Sequence, residues 1–401
     1  MKYLVTWIVG IGVLIAGGCV KKEYHETYVV TCPSDSLTVP VVLGDLEVAV
    51  RLTPKSFGNQ LWAAYLYMVP NAAEYFGDEF RETLTKDIFA FTLQSPRKGA
   101  VVELKARENE LLEHADARVI MPDEGNPVEI RPVVAWKYDA LRQLRLSKPI
   151  TMSWDVTVDG QHVGIFEKVF QGMRVNETLN ILLPDKPIAG VPLNENGALD
   201  VAEFYVGFVE EQNPLCDRLQ TEAVEMGLID IFSGYQLGEE AIKQQLWSIW
   251  YLMEKKGLTY GSAMQIPGNK TGQEIRLVDE AFEGKLSNCA DGTILLASIF
   301  ARMDFNVALA ILPNHMYLVI ADENGEPAYA IETAWLRLFD GNVYATEKER
   351  RQESKKNFEF LLEEMWNIHL EEFAPENMCF GKKLIWLNDV RPYIPSLNTW
   401  K

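Results

Sequence analysis

Basic side chains are in short supply in this chain: 38 Lys and Arg stand against 57 Asp and Glu over 401 residues, a net charge of −19. A surface of that sign repels phosphates, so nucleic acid is excluded as a partner and an anionic membrane surface is a poor one for the folded body. Histidine is equally sparse, with 5 in the whole chain. One of them, His369, lies on a helical stretch beside Glu371 and Glu372 without a second histidine at ligand spacing, so a zinc site is not expected. The sequence also lacks a glycine-rich phosphate loop, a serine-centred nucleophile elbow, a calcium loop, internal repeats and low-complexity segments. No cofactor is therefore expected. The apolar run from Leu4 to Ala16 is shorter than the roughly 20 residues that a membrane-spanning helix requires.

What is present is ordinary for a folded protein: 48% hydrophobic and 24% charged residues, in a chain long enough for two or three domains. The amino terminus reads as an address: Lys2, the apolar run, then Ala16-Gly17-Gly18-Cys19. Small residues directly before Cys19 resemble the lipobox of bacterial lipoproteins. That resemblance implies cleavage ahead of Cys19 and acylation of its thiol; an uncleaved amino-terminal anchor is the alternative. Either way the folded part is expected to be tethered outside the cytoplasm, lipid-anchored in the bacterial cell envelope on an outer membrane or cell surface. Residues 1–18 are then a signal peptide and 19–30 a polar tether containing Lys21, Lys22, Glu23 and His25. Cys32, Cys216, Cys289 and Cys379 remain in the body, and an oxidising compartment permits a disulfide among them.

From about Tyr28 to Pro184 the pattern has period two. Ile150, Met152, Trp154, Val156 and Val158 alternate with polar residues, reach Asp159-Gly160, and are followed by a second extended run, which predicts a hairpin with a two-residue turn. Val102, Leu104 and Ala106 form another strand. Val128 to Tyr138 reads as one alternating strand, its Pro132 marking an edge. Helical interruptions are expected near Asn59–Met68 and Phe80–Phe89. Residues 31–185 thus read as an all-β sandwich, in which His114 and His162 are surface residues. Pro187, Pro192, Asn194, Asn196 and Gly197 mark a linker over 186–205. Beyond it the period becomes 3.6. Glu239–Lys256 carries Ile242, Leu246, Ile249, Leu252 and Met253 on one face with Gly257 as C-cap, and a second helix is expected over Glu347–Phe373. Residues 206–401 form an α+β domain.

Ser287–Leu336 brings together the residue types that carry chemistry. Ser287 or Asn288 can cap a helix whose first turn holds Cys289 and Asp291, and a cysteine there faces backbone N–H groups and the positive end of the helix dipole, a setting that favours thiolate. The same N–H groups can stabilise an oxyanion. Three strands follow, Val307–Leu312, His315–Ala321 and Ala328–Thr333. With the last hairpin centred near Asn324-Gly325, Tyr317 opposes Glu332, and His315 and Glu332 are diagonal neighbours on one face. A slip of one residue would separate them. The opposite face, with Met316, Leu318, Ile320, Tyr329 and Ile331, is core, whereas Ala328, Ala330 and Ala334 leave room for a cleft.

A helix-start cysteine followed by a strand that begins with histidine and another bearing an acid resembles the transglutaminase-like superfamily, whose core is papain-like. Ile275-Arg276-Leu277, Ser287 through Thr293, Leu296-Ala297-Ser298, Leu312-Pro313-Asn314-His315 and Ile331-Glu332-Thr333 carry the likeness over roughly 200–400, with Asn213-Pro214-Leu215, Phe232 to Gln236 and Tyr260 as a helical lead-in. It implies Cys289 as nucleophile, His315 as general base and acid, and Glu332, where many relatives have Asp, as the holder of the imidazole. The expected activity is that of a thiol hydrolase or acyltransferase on amide bonds of a protein or peptide, cell-wall peptide included. A catalytically inactive binding or assembly module on the same fold is the rival reading, and a purely structural Cys289 paired with Cys216 or Cys379 is a third. Gln236 and Gln265 are candidate oxyanion donors.

Overall fold

The computed structural model describes residues 39–77, 88–122, 125–179, 181–184, 193–194, 196–261, 272–336, 338 and 344–398. The signal peptide, the Cys19 lipidation site, Cys32, Gln265 and residues 80–87 of the second expected helix lie outside these. No helix among the described residues is long and apolar enough to cross a membrane.

The architecture is mixed α/β with several sheets, and its amino-terminal region is sheet-rich. A four-stranded antiparallel sheet runs in the order Val41–Leu43, Leu46–Leu52, Phe89–Gln94, Val128–Ile130. A six-stranded sheet runs Gln60–Trp62, Gln161–Met173, Lys148–Val158, Val101–Ala106, Leu112–Ile120, Val133–Trp136. Aromatic side chains fill the space between the two. Phe91 of the first meets Trp154 of the second edge-to-face with centroids 5.0 Å apart, and Phe89 lies 5.7 Å from Phe170. The hairpin at Asp159-Gly160 has Gln161 opposite Val158, and both turn residues have positive φ, the twist that a two-residue turn needs and that glycine supplies without strain.

Two local expectations change. The helix near residue 60 is Ala63–Phe76, because Gln60–Trp62 first pairs in parallel with Gln171–Met173, and Phe89 opens a strand. Val128 to Tyr138 is two strands in two different sheets, broken at Arg131-Pro132, after which Tyr138 begins a short helix. Pro132 has no N–H to offer a ladder, and the chain crosses from one sheet to the other there.

In the carboxy-terminal region one antiparallel sheet carries the order Pro327–Ile331, His315–Ala321, Val307–Leu312, Lys383–Trp386. The helix Cys289–Arg302 lies along the central strands, where the Thr293 hydroxyl donates to the Met316 carbonyl over 3.3 Å. The helices Glu239–Lys256 and Glu347–Glu372 pack together through Trp250 and Phe358, 5.4 Å apart, and through the Trp247 indole N–H donating to Ser354. Gly257 ends the first of them in the left-handed conformation, as a C-cap does.

The regions are joined by more than the covalent chain. Glu177–Leu179 pairs antiparallel with Gly272–Glu274, and Arg174 bridges Glu177 and Glu274. Leu199–Asp200 pairs with Ile181–Leu182, and the following 3-10 segment, Ala202–Phe208, is wholly buried.

Candidate active site

Cys289 is the first residue of its helix because Asn288 caps it. The Asn288 side-chain oxygen accepts from the amides of Ala290 and Asp291 at 2.8 and 3.0 Å, and the Asp291 carboxylate accepts the Asn288 amide in return. Asp291 also takes the backbone N–H and the guanidinium of Arg276, each at 2.8 Å, from a fully buried position that by itself raises its pKa. The helix start is thereby bolted to the segment ahead of Val278–Gly284.

One consequence narrows the expectation that the whole first turn serves an oxyanion. The Ala290 and Asp291 amides are taken by Asn288 Oδ1, and the Gly292 amide by the Asn288 carbonyl. Among the described residues, that leaves the Cys289 amide as the first-turn N–H free to serve an incoming oxygen.

His315 opens its strand opposite Leu312, and the hairpin pairs Leu318 with Ile331, with a register shift near its turn between Ile320 and Ala321. The strand ends at Ile331, however. Glu332 leaves it to cap the 3-10 turn Thr333–Trp335, its Oε1 accepting the Ala334 amide at 2.7 Å, while Oε2 holds His315 Nε2 in a short contact. Glu332 is buried and His315 nearly so, which screens the pair from water. With Nε2 committed, Nδ1 is the ring nitrogen left to face Cys289, which lies close enough to help hold the charged imidazole. Burial disfavours the charged ring, but the Glu332 carboxylate and the Cys289 contact outweigh it and raise the His315 pKa to about 10. The ring is therefore an imidazolium at neutral pH, able to hold a neighbouring thiolate and to give up a proton.

The face shared by His315 and Tyr317 is not the open cleft that the small alanines suggested. Tyr317, Val319 and Ala330 are fully buried, and the Tyr317 hydroxyl meets His369 Nδ1 at 2.9 Å beneath the Glu347–Glu372 helix. His369, stacked on Trp366, is held neutral by burial.

Other candidates separate from the site. Cys216, Cys289 and Cys379 are all free thiols, which removes the structural pairing of Cys289. Burial pushes Cys216 up to about 12. Gln236 sits exposed on the turn ahead of Glu239–Lys256, and His162 lies at the surface beside Asp155. Two residues named in the sequence take roles there that the spacing alone did not assign. Gly292 faces Thr333, next to Glu332, at a distance that no side chain could share. Asp291 stands three residues after Asn288, the capping-box spacing, which could have identified it.

No family model matches the chain, and no curated protein matches it. Among solved structures, a crystal structure titled "putative protease", from Parabacteroides distasonis ATCC 8503, is 12% identical and covers 61% of this chain at a TM-score of 0.23. This chain spans 63% of that chain's length.

Proposed function

We propose that the protein is a thiol hydrolase or acyltransferase that acts on amide bonds of a protein or peptide through Cys289, His315 and Glu332, in a transglutaminase-like, papain-like carboxy-terminal domain. The observation that carries this reading is a helix-start thiol beside an imidazole whose Nε2 is held by a buried carboxylate fixed at both oxygens. The Cys289 thiolate attacks the amide carbonyl, forming the Sγ–C bond as the carbonyl electron pair moves to oxygen. Collapse of the tetrahedral species breaks the C–N bond, and the His315 imidazolium protonates the leaving amine. Neutral His315 then takes a proton from water or from a second amine, which resolves the thioester and restores the thiolate. In the same proposal the amino-terminal sheets form a β-sandwich, and acylation of Cys19 holds the protein to a bacterial envelope membrane.

The test is acylation with p-nitrophenyl acetate, read by peptide mass spectrometry. Wild type is expected to carry an acetyl group on Cys289 that turns over, faster with added primary amine if transfer is the natural reaction. The Cys289→Ala variant should release nitrophenol at the background rate. An unmodified wild-type Cys289 would overturn the reading in favour of a binding module, and so would equal turnover by the variant.

A further inference from the structure

Tyr317 stands two residues after His315 on the same face of its strand and is fully buried. Its ring centroid lies 6.3 Å from that of His315, with the planes 38° apart, so the phenol flanks the imidazole on which the thiol depends. A buried phenol needs an acceptor for its proton, and among the described residues His369 Nδ1, at 2.9 Å, is the one it has. His369 is itself fixed. Trp366, three residues before it on the helix, and Phe373, four residues after, bracket its ring at centroid distances of 5.1 and 4.9 Å. Held neutral by burial, it keeps Nδ1 as an acceptor when its other nitrogen carries the proton. The charges that act on the phenol are Glu372, paired with Lys382 at 2.7 Å, and Glu332; together with burial, which counts most, they keep it protonated.

We propose that His369 is a positioning residue of this site: by accepting the Tyr317 O–H it sets the phenol ring against the His315 imidazole, and so keeps Nδ1 turned towards Cys289. The inference rests on the Cys289, His315 and Glu332 reading above. Glu332 grips the imidazole at Nε2 alone, and a ring held at one nitrogen can still pivot about that bond. The flanking phenol removes this freedom once its own ring is fixed, and the hydrogen bond to His369 fixes it from a helix 52 residues further along the chain. An apolar pair would fill the same volume without setting an angle, whereas a satisfied buried hydrogen bond specifies one arrangement. Neither group gives up a proton in this role; the Tyr317 hydrogen stays on its oxygen throughout.

The experiment follows the pH dependence of Cys289 alkylation by iodoacetamide in the full chain, quantified by peptide mass spectrometry. His369→Phe keeps the ring stack and removes the acceptor. It is expected to slow alkylation at neutral pH about tenfold and to move the pH midpoint up towards the ordinary thiol value of about 8.5. His369→Asn, whose amide oxygen takes the place of Nδ1, should recover most of the rate. Tyr317→Phe deletes one hydroxyl and should show the same fall, with the double variant losing no more than either single one. A rate and midpoint that stay at wild-type values in folded His369→Phe overturn the assignment and leave the triad standing. An equal fall in His369→Asn also overturns it, since packing and not the acceptor would then be what matters. Should His369→Phe not fold, unchanged alkylation of Tyr317→Phe overturns it in the same way. A wild-type Cys289 that already titrates as an ordinary thiol removes the parent reading, and this one with it.

Discussion

A Cβ placed on Gly292 would lie 2.7 Å from Thr333 Oγ1 and 2.8 Å from Thr333 Cβ, so the cysteine helix and the turn that begins at Glu332 touch backbone to side chain. This glycine sits inside a helix, where it costs about 1 kcal/mol relative to alanine in isolation. Its retention there is explained by the contact. Gly292→Ala is expected to reverse the usual benefit of alanine and to destabilise the fold by about 1–3 kcal/mol through overpacking. Urea denaturation monitored by tryptophan fluorescence gives the difference, and Thr333→Gly in the same background should recover part of it.

Replacing Glu332 with glutamine keeps an oxygen for the Ala334 amide and removes the charge that holds His315. The imidazolium then loses its largest favourable partner, and the His315 pKa should fall from about 10 towards the ordinary value near 6.5. Proton NMR of the imidazole in Glu332→Gln, against wild type, follows it directly. A titration midpoint that stays near 10 would show that the carboxylate is not what holds the charge.

The same shift makes stability depend on pH. The folded pKa of His315 lies above the unfolded one, so its contribution is complete below about pH 6.5, declines through neutrality, and is gone above about pH 10. The difference in unfolding free energy between wild type and His315→Gln should therefore shrink steadily as the pH is raised from 6 to 10. A difference that widens over that window contradicts the sign.

Asp291 is fully buried, with Arg276 largely so. Asp291→Asn removes the charge and part of the cap while preserving volume, leaving the guanidinium without its partner. A loss of about 3 kcal/mol is expected, in line with breaking a buried pair from one side. Reactivity of Cys289 should fall alongside stability, whereas the surface variant Asp155→Asn should change neither measurably.

The three described thiols differ in accessibility, from buried Cys216 to exposed Cys379. Timed alkylation with peptide mapping should modify Cys379 and Cys289 in the native protein and Cys216 only after unfolding. Early labelling of Cys216 would mean that the helix Pro214–Glu225 opens locally.

Much of the carboxy-terminal region could be read from the chain because local signals and tertiary demands agree there. Helical period and a glycine cap fixed Glu239–Lys256, and alternation with Asn324-Gly325 fixed the register that brings His315 to Glu332. The failures have a common origin in partners distant in sequence. The small Ala328, Ala330 and Ala334 suggested an open face, but Tyr317 on that face is covered by His369, which lies 52 residues further on. Glu332 read as a strand residue, since nothing local says that its second oxygen would cap a turn. Pro132 signalled an edge correctly, yet not that two sheets meet there.

The pairing of Glu177–Leu179 with Gly272–Glu274 places Cys289 at the far end of a short relay. The Asn176 carbonyl holds the Ile275 amide, Arg276 follows directly, and Arg276 grips Asp291, which closes the cap on which Cys289 stands. Cutting the chain at the start of the helical half would leave that strand without its neighbour and the cap without its anchor. The amino-terminal sheets are in this sense part of the thiol's scaffold, and a change in their edge at Glu177 should be felt as altered reactivity at Cys289.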